Sequence, residues 1–174
     1  ADLAEYFMSD DVLEAGSIVS AVASQSAYVR PADRSSQKTL LGVVATTPGI
    51  ILGEKSENSY PIALAGRVPV KVTTQNGTIE VGDYLTSSSI PGVAMKATKA
   101  GNVVGKALEP YEGSDIGSVL MFVNPTYYAG TGLSELLPEL TALQENTSSR
   151  EAYDQKILQY VSEQSKAASA SADL

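Results

Sequence analysis

The segment GTIEVGDYLTSSSIPGVAMKAT (77–98) places an acidic residue, a Gly-Asp pair, a short apolar run, three serines and Pro-Gly in one order. A related order occurs earlier, in DVLEAGSIVSAV (11–22). Aligned, Leu13-Glu-Ala-Gly-Ser-Ile-Val-Ser20 matches Ile79-Glu-Val-Gly-Asp-Tyr-Leu-Thr86. Glu-x-Gly ahead of an apolar run is typical of a turn whose glycine takes a positive φ and leads into a strand. The repetition predicts two related β-hairpin units.

Two further blocks follow the same order in both parts of the chain. The segment 29–33 aligns with 94–98, and Leu41-Gly-Val-Val44 aligns with Val104-Gly-Lys-Ala107. Each unit alone would leave an apolar face in water, so the two are expected to pack together. The sequence therefore predicts one β-rich domain over 1–127, with its internal repeat at about 11–53 and 77–123.

Short apolar runs separated by turn signals indicate the strands of this domain. Asn76-Gly77 and Pro91-Gly92 are typical turn dipeptides, and no long helical period interrupts the region. The fold class is therefore predicted to be mainly β, a compact barrel or β-clip. The candidate strands are Ser17–Val22, Leu40–Ala45, Ile62–Leu64, Val68–Thr74, Tyr84–Thr86, Ala94–Ala97, Val103–Leu108 and Gly117–Val123.

The C-terminal part has a helical pattern instead. Residues 128–132 are interpreted as a linker, and 133–174 as a helical segment. Such an apolar stripe is buried against the β domain or in a bundle with other copies of the chain, or else the segment is a flexible tail. The second alternative makes the segment an oligomerisation element, carried by the apolar residues Leu133, Leu136, Leu137, Leu140, Leu143, Ile157 and Val161.

Composition excludes several kinds of chemistry. The chain of 174 residues contains no Cys and no His, which removes disulfides, Cys- or His-dependent nucleophilic catalysis and the commonest zinc ligands. A formal net charge of −8 argues against nucleic-acid binding. No stretch has the roughly 20 apolar residues of a membrane span. We expect no cofactor and no metal, and an extracellular or virion-surface location. The missing initial Met indicates a fragment or processed product.

Two short segments could carry a site. Asp2 and Glu5, beside two aromatic residues, could form an acid/base pair, because burial could raise one carboxyl pKa. The alternative is an acidic lead-in to a strand with the aromatic residues in the core. Ser87, Ser88 and Ser89 could hydrogen-bond a sugar or a neighbouring subunit, or could simply be a solvated loop.

Two motifs resemble a known family. Asp2-Leu3-Ala4-Glu5-Tyr6-Phe7 and the block LGVVATTP (41–48) resemble the self-cleaving intramolecular-chaperone domain at the C-terminus of phage tailspike and appendage proteins. The later segment 63–109 is similar to modules of β-rich bacterial surface and fibre proteins and to the β-clip of phage decoration proteins. Leu3 stands where that family usually has an aromatic residue.

The resemblance implies a homotrimer that helps an upstream fibre segment of the same polypeptide to assemble. It also implies release by cleavage at or just before Asp2, with Asp2 and Glu5 as the carboxylates involved. We therefore expect a structural assembly module, the C-terminal cap or chaperone of a trimeric tail fibre or adhesin-like surface protein. Alternatives are an autoproteolytic release domain, at most an intramolecular autoprotease, and a carbohydrate-binding or capsid-decoration module.

Overall fold

The computed structural model describes residues 1–130 and 150–172 of the chain. The chain divides into two compact units, Ala1–Gly130 and Thr131–Leu174. The first unit contains the strands, and the described part of the second is a helix, α1 (Arg150–Ala172). The predicted mainly β fold with a helical C-terminal segment is confirmed.

Ten strands form one continuous sheet in the first unit. Their bounds are β1 (Asp2–Met8), β2 (Ile18–Ala21), β3 (Val29–Pro31), β4 (Leu40–Val44), β5 (Ile50–Leu52), β6 (Ser59–Val72), β7 (Tyr84–Ser87), β8 (Ala94–Lys96), β9 (Gly101–Ala107) and β10 (Gly117–Tyr128).

Three strands, β1, β3 and β5, are absent from the predicted set, and β6 also differs from its prediction. The sequence suggested two strands, Ile62–Leu64 and Val68–Thr74, separated at a glycine. The structure joins them into one strand of 14 residues. Gly66 takes a φ of +101°, a conformation that L side chains rarely adopt, so the strand continues through an irregular point instead of ending there. A glycine inside a strand pattern here marks a local irregularity.

Five of the strands close into a ring. β6, β8, β7, β9 and β10 are hydrogen-bonded in this order, and β10 pairs with β6 to complete the circle. The link between β6 and β8 is a single parallel pair, Val72 with Ala94. We therefore describe the arrangement as a ring of five strands and not as a closed barrel; the other five strands lie outside the ring.

The internal repeat of the sequence recurs in the pairing of the strands. β2 lies between β3 and β4, and β7 lies between β8 and β9, all antiparallel. β4 then pairs with the first half of β6, as β9 pairs with β10. Finally, β1 pairs with the first half of β6, as the second half of β6 pairs with β10. We call residues 2–66 the first repeat and residues 67–128 the second; β6 belongs to both.

The Glu-x-Gly turns of the two repeats are held by the same backbone hydrogen bonds. The Gly16 N–H donates to Val44 O at 2.9 Å, and the Gly82 N–H donates to Ala107 O at 2.8 Å. The two glycines have φ values of +81° and +93°. Each turn therefore ties the start of the middle strand of a repeat to the end of its neighbouring strand.

A second pair of equivalent glycines allows two strands to approach closely. A Cβ on Gly42 in β4 would lie 2.3 Å from Ala63 O in β6. A Cβ on Gly105 in β9 would lie 2.1 Å from Phe122 O in β10. Outside their own residue and its chain neighbours, Cβ atoms essentially never come within 3.0 Å of a heavy atom. A side chain at either position would therefore force the strands apart. This explains why the apolar-Gly block occurs in both repeats.

The larger hydrophobic core contains residues of both repeats. Ile18 and Val43 of the first repeat lie in one buried cluster with Leu85 and Met121 of the second. A smaller cluster belongs to the first repeat, with Leu13, Val19, Val29, Val44 and Ile62. The shared cluster joins the two repeats into one packed domain.

Candidate functional site

Asp2 lies at the start of β1 and is buried, with 8% of its surface exposed. The Gly49 N–H donates to its Oδ1 at 3.3 Å and also to its main-chain oxygen at 3.1 Å. Its other carboxylate oxygen, Oδ2, is buried and has no hydrogen-bond partner among the described residues. Because buried polar atoms usually have partners, this oxygen marks Asp2 as a residue with an unmet interaction.

Two glycines leave space for Asp2. A Cβ on Gly66 would lie 2.7 Å from Asp2 Cα, and a Cβ on Gly49 would lie 3.4 Å from the Asp2 main-chain oxygen. The sequence prediction did not connect these glycines with Asp2. The available signal was weak: Gly66 interrupts a strand pattern and Gly49 follows a proline, and both are features of close backbone approach or of turns.

Glu5 also lies in β1, where it pairs with Leu52 on one side and Ile62 on the other. Successive side chains of a strand point to opposite faces, so residues three apart, such as Asp2 and Glu5, lie on opposite faces of β1. Asp2 is buried and Glu5 is half-buried, in agreement with this alternation. The structure therefore does not bring the two carboxylates together in an acid/base pair.

Two of the three serines proposed to bind a ligand lie inside the protein. Ser87 and Ser88 are fully buried, whereas Ser89 is exposed. The Ser87 hydroxyl donates to Arg34 O and accepts from the Gln37 N–H, and the Ser88 hydroxyl donates to Val93 O. The geometry corrects the expected role of Ser87 and Ser88, because their hydroxyls hold loops of the domain together instead of facing a ligand.

Replacing Ser87 with alanine is expected to destabilise the domain by about 1–3 kcal/mol, because Arg34 O and the Gln37 N–H would each lose a buried partner. Ser89→Ala is the matched control and should change the free energy of unfolding by less than about 0.5 kcal/mol. Urea unfolding followed by circular dichroism measures both. Equal effects for the two variants would contradict this role of Ser87.

The predicted oligomerisation residues lie only in part within the described structure. In α1, Ile157 is half-buried, and Val161 and the neighbouring Leu158 are exposed. Val161 follows Leu158 by three residues and Ile157 by four, so these side chains lie on the same side of α1. The other predicted residues, Leu133, Leu136, Leu137, Leu140 and Leu143, lie outside the described residues.

One ion pair connects the first Glu-x-Gly turn to β6. The Lys71 ammonium donates a hydrogen bond to the Glu14 carboxylate, and this contact holds the pKa of Glu14 below its usual value. The Lys71 N–H also donates to Gly16 O at 2.9 Å. Because Glu14 is largely exposed, the pair acts as a surface tie and is not a buried reactive centre.

Other kinds of site find little support in the part of the chain that the structure describes. Residues 1–130 and the described helix contain no group of three or more acidic side chains placed to hold a metal ion. The described helix is not apolar enough over its length to cross a membrane.

The fold is similar to that of a phage protein. The solved structure is the C-terminal fragment of gene product 12 of bacteriophage phi29. The match has a TM-score of 0.53 and 19% sequence identity, and it covers 71% of this chain and 100% of the fragment. The pre-mature form of the same phi29 gene product matches with a TM-score of 0.53 and 18% identity, over 71% of this chain and 21% of that protein.

The comparison is one of fold, since both identities are below one residue in five. No family model matches the chain, and no curated protein matches it. The phi29 fragment is matched along its whole length, so this chain contains all of a fold that occurs as one C-terminal piece of a longer phage protein.

Proposed function

We propose that the chain is a structural assembly module of a phage tail appendage or fibre, acting as its C-terminal cap or chaperone in a homotrimer on the virion. The observation that carries this proposal is the fold match over the full length of the phi29 C-terminal fragment. The motifs at residues 2–7 and 41–48 independently resemble the chaperone domains of phage appendages. The proposed partners are two further copies of the chain and the upstream fibre segment of the same polypeptide.

The distribution of apolar residues supports assembly as the main role. Aliphatic side chains are exposed on β5 in the first unit and on α1 in the second. Exposed apolar side chains that adjoin one another are typical of surfaces that meet another protein. The candidate catalytic and ligand-binding residues give less support to a chemical role. Asp2 and Glu5 lie on opposite faces of β1, and two of the three serines are buried.

Light scattering on the full purified chain over a dilution series tests the proposed trimer. We expect a mass of three times 18.2 kDa down to micromolar concentration. Val161→Glu places a charge in the exposed apolar stripe of α1 and should shift the chain toward the monomer. Gln155→Glu, at an exposed position of the same helix, is the control and should leave the mass unchanged. A wild-type chain that is monomeric at all concentrations would overturn the proposal.

A second function is suggested by the unpartnered Oδ2 of Asp2. We propose release of the domain by hydrolysis of a peptide bond at or just before Asp2, with Asp2 and Glu5 contributing separately because they do not form a pair. The test is a longer polypeptide that contains the natural upstream segment, analysed by mass spectrometry after folding. Asp2→Asn is expected to leave it intact, and Glu5→Gln to slow cleavage. Cleavage that neither substitution affects would refute the role of these carboxylates.

A further inference from the structure

The outer surface of the second repeat carries an exposed aromatic residue between two basic ones. Phe122 of β10 lies directly opposite Arg67 of β6 on one side and Lys106 of β9 on the other. Its side chain is 47% exposed. Leu108 and Leu120 adjoin it on the same side of the sheet, because they alternate with the inward-facing Ala107, Val119 and Met121. We call Arg67, Lys106, Leu108, Leu120 and Phe122 the β10 face.

The first repeat shows what covers the corresponding surface there. By strand pairing, Ala4, Val43 and Ala63 occupy the places of Arg67, Lys106 and Phe122. All three are fully buried and belong to the core cluster that also contains residues of the second repeat. The same side of the sheet is therefore covered in the first repeat and open in the second.

The two basic residues of the β10 face have no acidic partner in the domain. Neither Arg67 nor Lys106 forms an ion pair with any residue in the described ranges. The Lys106 ammonium lies 4.7 Å from the centroid of the Tyr84 ring, and that ring stacks on Tyr128 at 4.7 Å. A cation–π contact of this kind holds Lys106 in place without neutralising it. The β10 face is thus apolar at its centre with Arg67 and Lys106 at two sides, and one carboxylate, Glu109, accepts a hydrogen bond from the Leu120 N–H at its end.

A complementary surface lies on the first repeat, at β5. Ile50, Ile51 and Leu52 are 62%, 40% and 49% exposed. Among the described strands β5 pairs with β1 alone, so within this part of the chain its other side is an open strand edge. Exposed apolar edges favour association with another chain, and proteins usually protect them. The segment that follows carries the exposed Glu54 and Glu57, with the exposed Lys55 between them, so its net charge is negative. We call residues 50–57 the β5 edge.

β5 also has no counterpart in the second repeat. The equivalent connection, between β9 and β10 at 108–116, contains no strand among the described elements. The second repeat closes its sheet without such an element, so the repeated architecture does not require β5. The β5 edge and the β10 face are therefore exposed apolar surfaces at which the repeats differ.

We propose that the β5 edge of one copy of the chain binds the β10 face of the next copy. Ile50, Ile51 and Leu52 would cover Phe122 and its leucine neighbours, and Glu54 and Glu57 would pair with Arg67 and Lys106. The two surfaces are different, so the contact is heterologous, and such contacts close into rings when the rotation between subunits permits it. The inference rests on the trimer proposed above and names the surfaces that would form it.

Charge complementarity selects a second copy as the occupant. The chain has a formal net charge of −8, so contact between arbitrary surfaces of two copies is repulsive. The β10 face is an exception, because it presents two cations that have no ion-pair partner among the described residues, beside an apolar centre. The β5 edge has two carboxylates and one lysine, a net negative charge, next to the exposed apolar residues 50–52. Buried apolar anchors would supply most of the affinity, and the charged pairs would select the partner and its orientation.

The test is a charge exchange between the two surfaces, read by light scattering and sedimentation of the full chain. R67E/K106E is expected to weaken self-association at least tenfold, and E54K/E57K to do the same. The variant with all four substitutions should recover the wild-type mass, because the charges are then exchanged. The matched control is K38E/K99E, which makes the same change in net charge at exposed lysines outside both surfaces and should leave the mass close to wild type.

The outcomes separate this interface from the proposed function. A wild-type trimer that R67E/K106E leaves intact would overturn the interface while the trimer stands. A wild-type monomer would overturn both. Dissociation by R67E/K106E without recovery in the fourfold variant would show that the acidic partner is not the β5 edge, and would also overturn the proposal. Ile51→Ser is an uncharged second probe, expected to weaken association with an unchanged circular dichroism spectrum, and an unaffected mass would count against the interface.

Discussion

Gly105→Ala is expected to destabilise the β domain by about 3 kcal/mol or more, at the upper end of the range for overpacked cores. The new Cβ would lie 2.1 Å from Phe122 O, 3.0 Å from Phe122 C and 3.1 Å from Met121 Cγ. The first two of these atoms belong to the backbone of β10 and cannot move aside by changing a rotamer. Relief requires that β9 and β10 separate, which would break their hydrogen bonds and open the ring.

Urea unfolding followed by circular dichroism measures this effect, or a loss of soluble folded protein if the variant does not fold. Ser118→Ala, at an exposed position of β10, is the control and should change stability by less than about 0.5 kcal/mol. Gly42→Ala should reproduce the effect in the first repeat, since its Cβ would lie 2.3 Å from Ala63 O. A cost below about 1 kcal/mol at Gly105 would show that the strands are not as closely spaced as described.

Ile62→Ala is expected to cost about 2–5 kcal/mol and to loosen both repeats together. Ile62 is fully buried in the smaller core of the first repeat, and its neighbour Ala63 lies in the core that both repeats share. A cavity at Ile62 should therefore lower the protection of amides in the second repeat as well, at Leu85 and Val104 for example. Hydrogen exchange followed by NMR measures this spread of the effect.

Ile116→Ala is the matched control, because it makes the same substitution at a side chain that is 53% exposed. It should change the free energy of unfolding by less than about 1 kcal/mol. If Ile62→Ala destabilised the first repeat while the amides of Leu85 and Val104 kept their wild-type protection, the two repeats would be separate folding units, contrary to the shared core.

The sequence predicted most of the β architecture because the repeat relies on local signals. Glu-x-Gly turns and apolar-Gly blocks have local signatures, and both correspond to equivalent features of the two repeats. The long β6 was less predictable, because only the tertiary structure reveals that Gly66 continues a strand. β1, β3 and β5 were not among the predicted strands; β5 pairs with β1, which lies 47 residues away in the chain, and no local pattern reveals that pairing.

The candidate site was less predictable than the fold. The motif pointed to Asp2 and Glu5, but spacing alone cannot separate a pair from two residues on opposite faces until the strand is assigned. The burial of Ser87 depends on Arg34, 53 residues away in the chain, and no local pattern carries that information. The β10 face was missed for the same reason, because Arg67, Lys106 and Phe122 meet only through strand pairing.

The position of β6 has a consequence for how two copies of the chain can exchange their repeats. The boundary between the repeats falls inside this strand, at Gly66, and not in a loop. Neither repeat can be cut away without removing a strand from the other. If the chain straightened at Gly66, each half would expose the core surface that the other half normally covers. Two chains could then exchange halves, each repeat keeping its own contacts while the contacts between repeats form between the two molecules, so we expect domain swapping to be the main misfolding route at high concentration.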